Sequence, residues 1–323
     1  MTDSLTCFKA YDIRGRLGID LDDAIARRIG RAFAETLGAR RVVLARDIRA
    51  SSESLARAVA DGLVAAGCEV LDLGLAGTEE MYFATGHLGA DGGICVTASH
   101  NPMDYNGMKM VQAGAAPLDP ATTMPAVRRL AETQAFAALH PGGRITDAAA
   151  TRRAYVDRVL SFVDIAALRP LHILVNCGNG AAGPTFDAIA AAVQAKGAPL
   201  RFTRMHHDPD GRFPNGIPNP LLPENQPATA DATRAAGADM AVAFDGDFDR
   251  CFLFDEKGGF IEGYYIVGLL AAAFLEKIRS GDYSRGTVRP TISPASAASA
   301  APMTKVRVMM RLTGIPMSSA MEI

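Results

Sequence analysis

The stretch GGICVTASHNPMDYNGMK, Gly92 to Lys109, decides how the chain is read. Its first part, Gly92 to Thr97, has the short apolar character of a buried strand. That strand leads directly into a small hydroxyl (Ser99), an imidazole (His100), an Asn101-Pro102 break, and then Gly107 and Lys109. A surface turn needs Asn, Pro or Gly for its backbone geometry. It does not need a nucleophile, a base and a cation in this order. The pattern reads as a strand ending in a turn that exposes Ser99, with Gly107 letting Lys109 return toward it.

Strand and helix patterns alternate on both sides of this stretch. Helical spacing over Asp22 to Leu37 places Ile25, Ile29 and Phe33 on one face, with Gly38 where a C-terminal cap belongs. Arg41 to Ala45 reads as a strand, Ser52 to Ala66 as a helix ending at Gly67, and Glu69 to Leu73 as a second strand. A Gly- and Arg-containing connection near Pro141 to Thr151 is the expected domain boundary. Beyond it, helices are expected over Thr151 to Val163, Thr185 to Lys196 and Thr229 to Ala236. Strands are expected at Leu171 to Asn176, Leu200 to Met205 and Met240 to Phe244, then a hairpin over Arg250 to Glu262. Such alternation predicts an α/β fold of two domains with mixed sheets flanked by helices. The expected divisions are 1–150, carrying the Ser99 loop, and 151–262, carrying an aspartate loop. A helix over 263–278 would open a third unit, and an irregular Ser/Ala/Pro-rich tail occupies 279–323.

Bulk composition narrows the function classes. The chain has 323 residues, and 33 basic against 35 acidic residues leave a net charge of -2, so no global field favours nucleic acid or an anionic membrane. The most apolar window, Ile266 to Leu275, is shorter than the ~20 residues that cross a bilayer. The N-terminal residues resemble no secretory signal, and five scattered cysteines without a C-x-x-C pair read as reduced thiols. A cytoplasmic protein with no protein partner identifiable is the expectation.

In AVAFDGDFDRCFLF, Asp245, Asp247 and Asp249 follow an apolar strand at two-residue intervals. Carboxylates that close repel unless a cation neutralises them, and three hard oxygen donors favour Mg²⁺ or Ca²⁺ over zinc. A calcium-binding helix-loop-helix would use the same spacing, with Glu256 at its twelfth position. It needs Gly where Arg250 stands, and helices where the flanks read as strands. A further glycine pattern, GNGAAG (Gly178, Gly180, Gly183), satisfies G-x-G-x-x-G between a strand and a helix. The acidic residue expected of a dinucleotide site falls at Asp208, inside a turn, so a tightly packed strand-to-helix turn is favoured over a nicotinamide-dependent oxidoreductase. No G-x-S-x-G surrounds Ser99, and a serine hydrolase is unsupported.

With FKAYDIRG (Phe8 to Gly15), TASHNPMDYNGMK and DGDFDR in this order, the chain resembles the α-D-phosphohexomutases, chiefly their phosphomannomutase branch, over roughly residues 5 to 277. The resemblance implies a phosphoserine at Ser99 and one Mg²⁺ held by Asp245, Asp247, Asp249 and a phosphoserine oxygen. It implies reversible interconversion of mannose 1-phosphate and mannose 6-phosphate through a sugar 1,6-bisphosphate, with sugar phosphates as the partners. Arg14 and Lys109 are then expected at the transferring phosphoryl group, Arg250 at the phosphoserine, and His100 as orienter or proton carrier. Residues this rich in negative charge demand such cations on physical grounds as well.

Complete members of that family have four domains, with a G-E-x-S-type loop in the third and an R-x-S-x-T-type loop in the fourth. Neither motif occurs here. The expectation is therefore a chain cut short or shifted in frame after about Lys277. Its alternative function is an inactive fragment that binds metal and sugar phosphate.

Overall fold

The structure, a computed structural model, describes residues 4–279. The irregular tail expected over 279–323 lies outside the described residues from 280 onward.

Local signals set the first helix. The Asp22 carboxylate accepts from the Ile25 amide at 2.7 Å, starting α1 (Asp23–Leu37), and Gly38 at φ 60° stops it. Its apolar face buries Ala26, Ile29 and Phe33 completely. Next come β2 (Arg41–Arg46), α2 (Ser52–Ala65), β3 (Glu69–Leu75) and α3 (Thr78–His87), preceded at the N-terminus by β1 (Ile13–Arg16). The first unit continues with β4 (Gly92–Val96), β5 (Tyr105–Gln112), β6 (Ala116–Pro117), α4 (Thr123–Thr133) and β7 (Arg144–Asp147). These strands form one sheet in the order β1-β5-β4-β2-β3-β7, with β6 paired to β5. Strands β4, β2, β3 and β7 run parallel, whereas β5 is antiparallel to both β4 and β1.

The remaining elements are α5 (Thr151–Leu160), β8 (Leu171–Asn176), α6 (Ala182–Ala195), β9 (Leu200–Met205), α7 (Gln226–Ala236), β10 (Met240–Phe244), β11 (Cys251–Phe254), β12 (Phe260–Ile261) and α8 (Gly263–Arg279). A second sheet runs β12-β11-β10-β8-β9, with β10-β8-β9 parallel and β11 and β12 antiparallel. The mixed α/β architecture expected from sequence is present in both units. The carboxyl ends of β4 and β10 face each other, which is where open α/β sheets place ligands.

Several details differ from the sequence reading. The connection expected at Pro141 to Thr151 contains β7, an edge strand paired with β3, so the first sheet extends into it. That strand is largely exposed, with Ile145 53% accessible, and therefore lacks an apolar signature. Helices α6 and α7 each begin three residues earlier than expected, at Ala182 and Gln226, and α5 ends at Leu160 rather than Val163. Four cysteines are buried and Cys251 is exposed. Burial pushes the Cys177 thiol up to about 12, which leaves it protonated and unreactive. Among the described residues no helix is long and apolar enough to cross a membrane.

Helices α1 and α2 cross with almost no side chain between them. A Cβ on Gly30 would lie 2.4 Å from the Val59 carbonyl oxygen, and one on Gly62 would lie 2.1 Å from that of Arg27. Backbone cannot yield as a flexible side chain can, so a methyl group must part the helices. Gly62→Ala is expected to lower stability by about 1–3 kcal/mol. Urea unfolding should show a lower midpoint with an unchanged slope, and an unaltered midpoint would mean the crossing is softer than its geometry indicates.

Candidate active site

The turn after β4 bends through Ser99, whose φ of 51° is left-handed and whose residue is only 3% exposed. Its amide donates to Thr97 Oγ1 at 2.8 Å. The hydroxyl donates to Asp245 Oδ2 at 2.5 Å, on the other sheet. Arg250 Nη2 donates to Ser99 Oγ at 2.8 Å and also contacts His100 Nδ1 and Asp245 Oδ2. A guanidinium has no acceptor, so the His100 Nδ1 it meets is the unprotonated ring nitrogen. That nitrogen lies 3.1 Å from Ser99 Oγ.

The loop after β10 brings the three aspartates to this hydroxyl. It approaches so closely that a Cβ on Gly246 would lie 2.5 Å from the Ser99 carbonyl oxygen, so the glycine is required by contact. Asp245 and Asp247 are fully buried. Lys109, near the middle of β5 and paired in register with Cys95, donates to Asp247 Oδ2 at 2.7 Å and Asp249 Oδ2 at 2.5 Å. Thr78, at the start of α3, donates to Asp247 Oδ2 at 2.6 Å. Arg14 stands one strand further out, opposite Gly107, and bonds Asp12 at 2.7 Å and Asn101 Oδ1 at 3.4 Å rather than Ser99 itself.

Electrostatics at the cluster follow from burial and crowding. Burial, and then the neighbouring Asp247 charge, push the Asp245 carboxyl up to about 6. Burial acts on Asp247 in the same sense, but the Lys109 ammonium overrides it and holds that carboxyl below its ordinary value. For Lys109 burial favours the neutral amine, yet Asp247 and Asp249 prevail and keep it charged above its ordinary range. His100 is held below its ordinary value by burial first and then by Arg250 and Arg14, so its ring is neutral near pH 7.

The cluster fits a hard divalent cation. Oxygens from Asp245, Asp247 and Asp249 lie within 4.8 Å of one another. The buried Oδ1 atoms of Asp247 and Asp249 accept no hydrogen bond, although Arg250 Nε stands 3.6 Å from the second as a loose ion pair. Unpartnered buried carboxylate oxygens converging on one point are what an oxygen-ligated ion satisfies.

Two stretches match models of known domains. Residues 6–137 match domain I of phosphoglucomutase/phosphomannomutase, an alpha/beta/alpha domain, and residues 153–259 match domain II. The chain belongs to the phosphoglucomutase/phosphomannomutase family. It is 59% identical over 275 residues to a phosphomannomutase of Salmonella montevideo, covering 85% of this chain and 60% of that protein. A phosphomannomutase of Vibrio cholerae is 52% identical over 278 residues, with 84% and 60% covered. The crystal structure of a family protein from Burkholderia thailandensis superposes with a TM-score of 0.76 at 36% identity, over 86% of this chain and 60% of that one. The chain thus spans about 60% of the length of the phosphomannomutases it matches.

Within this family member, Ser99, His100, Lys109, Arg250 and the three aspartates, all singled out in the sequence, converge on one point, and Arg14 flanks it. Sequence reasoning missed Asp47, Arg49 and Thr78. The signal for the first two was available in ARDIR, charged residues placed directly at the carboxyl end of a buried strand. The GNGAAG glycines have a packing reason. A Cβ on Gly180 would lie 2.7 Å from the Gly246 carbonyl oxygen, so this turn buttresses the aspartate loop.

Lys109 is the cation that compensates Asp247 and Asp249, and its removal leaves Asp247 without one and Asp249 with only the loose Arg250 pair. Lys109→Met is expected to cost about 3–5 kcal/mol of stability in the metal-free chain. Chemical unfolding in the presence of a chelator measures this, and an unshifted midpoint would show that Arg250 alone neutralises the cluster.

Proposed function

We propose that this chain carries the phosphoserine and metal half of a phosphomannomutase that interconverts mannose 1-phosphate and mannose 6-phosphate through a 1,6-bisphosphate. The observation that carries the reading is the Ser99 hydroxyl, held in a left-handed turn against Asp245 and Arg250 beside a three-carboxylate cluster. The first unit spans 1–150 with the serine loop and the second 151–262 with the aspartate loop, while 263–278 opens a third. The site is that of a cytoplasmic enzyme acting on small sugar phosphates.

Asp245, Asp247, Asp249 and an oxygen on Ser99 are the residues that would hold one Mg²⁺. The chemistry such an ion supplies when bound is neutralisation of phosphoryl oxygens. The chain's own groups divide the remaining work. In the forward transfer the Ser99 Oγ–P bond breaks and a bond from phosphorus to O6 of mannose 1-phosphate forms, while the O6 proton is released and Oγ regains one. Rephosphorylation from the 1-position reverses these roles and yields mannose 6-phosphate. His100 Nδ1 lies 3.1 Å from Oγ, so in this reading His100 orients the seryl oxygen or carries its proton. Arg250 steadies Oγ in both states, and Lys109 and Arg14 offer positive charge on the approach to it.

Incubating the chain with Mg²⁺ and glucose 1,6-bisphosphate is expected to attach one phosphate to Ser99, read by intact mass and peptide mapping. Ser99→Ala should abolish uptake, and chelation of the metal should slow it by at least about 100-fold. Phosphate appearing elsewhere, or uptake indifferent to Ser99→Ala, sinks the reading. Phosphorus NMR with mannose 1-phosphate then separates full isomerisation from phosphate uptake without turnover.

A further inference from the structure

A second charged group beside the serine turn has no place in the chemistry above. Arg49 follows β2, and its side chain is 2% exposed. Its guanidinium bonds backbone rather than solvent. Nη1 donates to the carbonyls of Pro102 at 2.9 Å and Tyr105 at 3.2 Å, and Nη2 to those of Ser99 at 3.0 Å and Asn101 at 2.5 Å. Four carbonyls of one turn therefore converge on one planar fork. The guanidinium also lies over the Phe213 ring, 5.6 Å from its centroid, in a segment joined to the second sheet.

The opposite side of the turn is held by Asp47. Its carboxylate accepts from Thr97 Oγ1 at 2.7 Å, from Ser52 Oγ, and from the Arg49 amide at 3.0 Å. Thr97 Oγ1 in turn receives the Ser99 amide. A non-glycine residue at φ 51° is strained, and it persists only where surrounding contacts over-determine it. Arg49 and Asp47 supply those contacts from one short segment, 47–49.

We infer that Arg49 is a positioning residue for the Ser99 nucleophile, setting the turn that aims Oγ at Asp245 without touching Oγ itself. This rests on the reading of Ser99 as the phosphoryl carrier. Arginine is required in place of lysine because a planar guanidinium presents up to five donors at fixed angles. An ammonium reaching the same spot is a point charge that cannot serve four fixed carbonyls.

The test uses the full chain with Arg49→Ala and Arg49→Lys, below the melting temperature of each. Two quantities are read: phosphate uptake at Ser99 from glucose 1,6-bisphosphate with Mg²⁺, and amide hydrogen exchange across residues 97–105. Arg49→Ala is expected to slow uptake by about 100-fold, the scale of an ångström-level misplacement. Dilute guanidinium ion should restore much of that rate in Arg49→Ala and none in Arg49→Lys. The Ser99 and Asn101 amides, bonded within the turn, should lose protection while Val43 and Ile94 keep theirs. A merely structural role predicts a lower melting temperature, unchanged uptake per folded molecule and no rescue, and that outcome overturns the inference. Should Arg49→Ala not fold, Arg49→Lys carries both measurements. Absence of uptake by the unaltered chain defeats the reading of Ser99. The exchange pattern still decides whether Arg49 sets the turn, and wild-type protection at Ser99 and Asn101 in the variants overturns it.

Discussion

Three carboxylates at two-residue spacing, two of them fully buried, cannot share a fold unless positive charge reaches them. In this chain the second sheet supplies all three, and the first sheet supplies Lys109 and the seryl hydroxyl. Arg250, one residue beyond the cluster, completes the neutralisation by joining Asp245 to Ser99. Two cations against three carboxylates leave one net negative charge, and burial opposes that charge by raising the Asp245 carboxyl to about 6, so that it holds a proton more readily. The two sheets are thus tied at the point where electrostatic penalty would be greatest if they were apart.

That tie needs mechanical support, because a slip of about an ångström would carry bonds of 2.5–2.8 Å to the edge of hydrogen-bond reach or past it. Support comes from a second contact outside the cluster. Glu80 on α3, 4% exposed, accepts from Arg152 on α5 at 3.0 Å and from Thr185 on α6. Arg152 also donates to the Leu75 carbonyl at the end of β3. The first turn of α3 therefore serves twice: Thr78 reaches Asp247 inside the site, and Glu80 clasps α5 and α6 of the second unit behind it. Close backbone approaches at Gly246 and Gly180 stack the serine turn, aspartate loop and GNGAAG turn into one layer.

What the sequence discloses about this arrangement depends on whether the controlling signal is local. Asp22 and Gly38 bound α1 because capping is a contact between near neighbours, and β10, MAVAF, is legible as an unbroken apolar run. Strand β5, YNGMKMVQ, is obscured by a glycine and a lysine that belong there for β1 and the aspartates, partners distant in sequence. Ser99 and the aspartates are legible because each sits in a contiguous motif whose residue types are unusual for a turn. For Arg49 the sequence marks a charge at a strand end but not what it does there, because its partners are backbone carbonyls, and a carbonyl has the same signature at every position.

The division of labour between the sheets follows from charge. A phosphoryl group on Ser99 would carry about -1.5 to -2. Set beside the existing net negative charge, it would be expelled from a buried site unless a divalent ion offset it. The converse also holds: a divalent ion at the cluster, with Lys109 and Arg250 already present, would leave a positive excess that draws a phosphoryl group inward. Neither charge is comfortable there alone, and together they return the site to near its resting balance. Carboxylates on one sheet and the serine on the other make this mutual dependence a matter of sheet placement. Arg49 and Asp47 grip the turn from behind, through the Ser99 carbonyl and Thr97, while Asp245 and Arg250 hold the seryl oxygen in front.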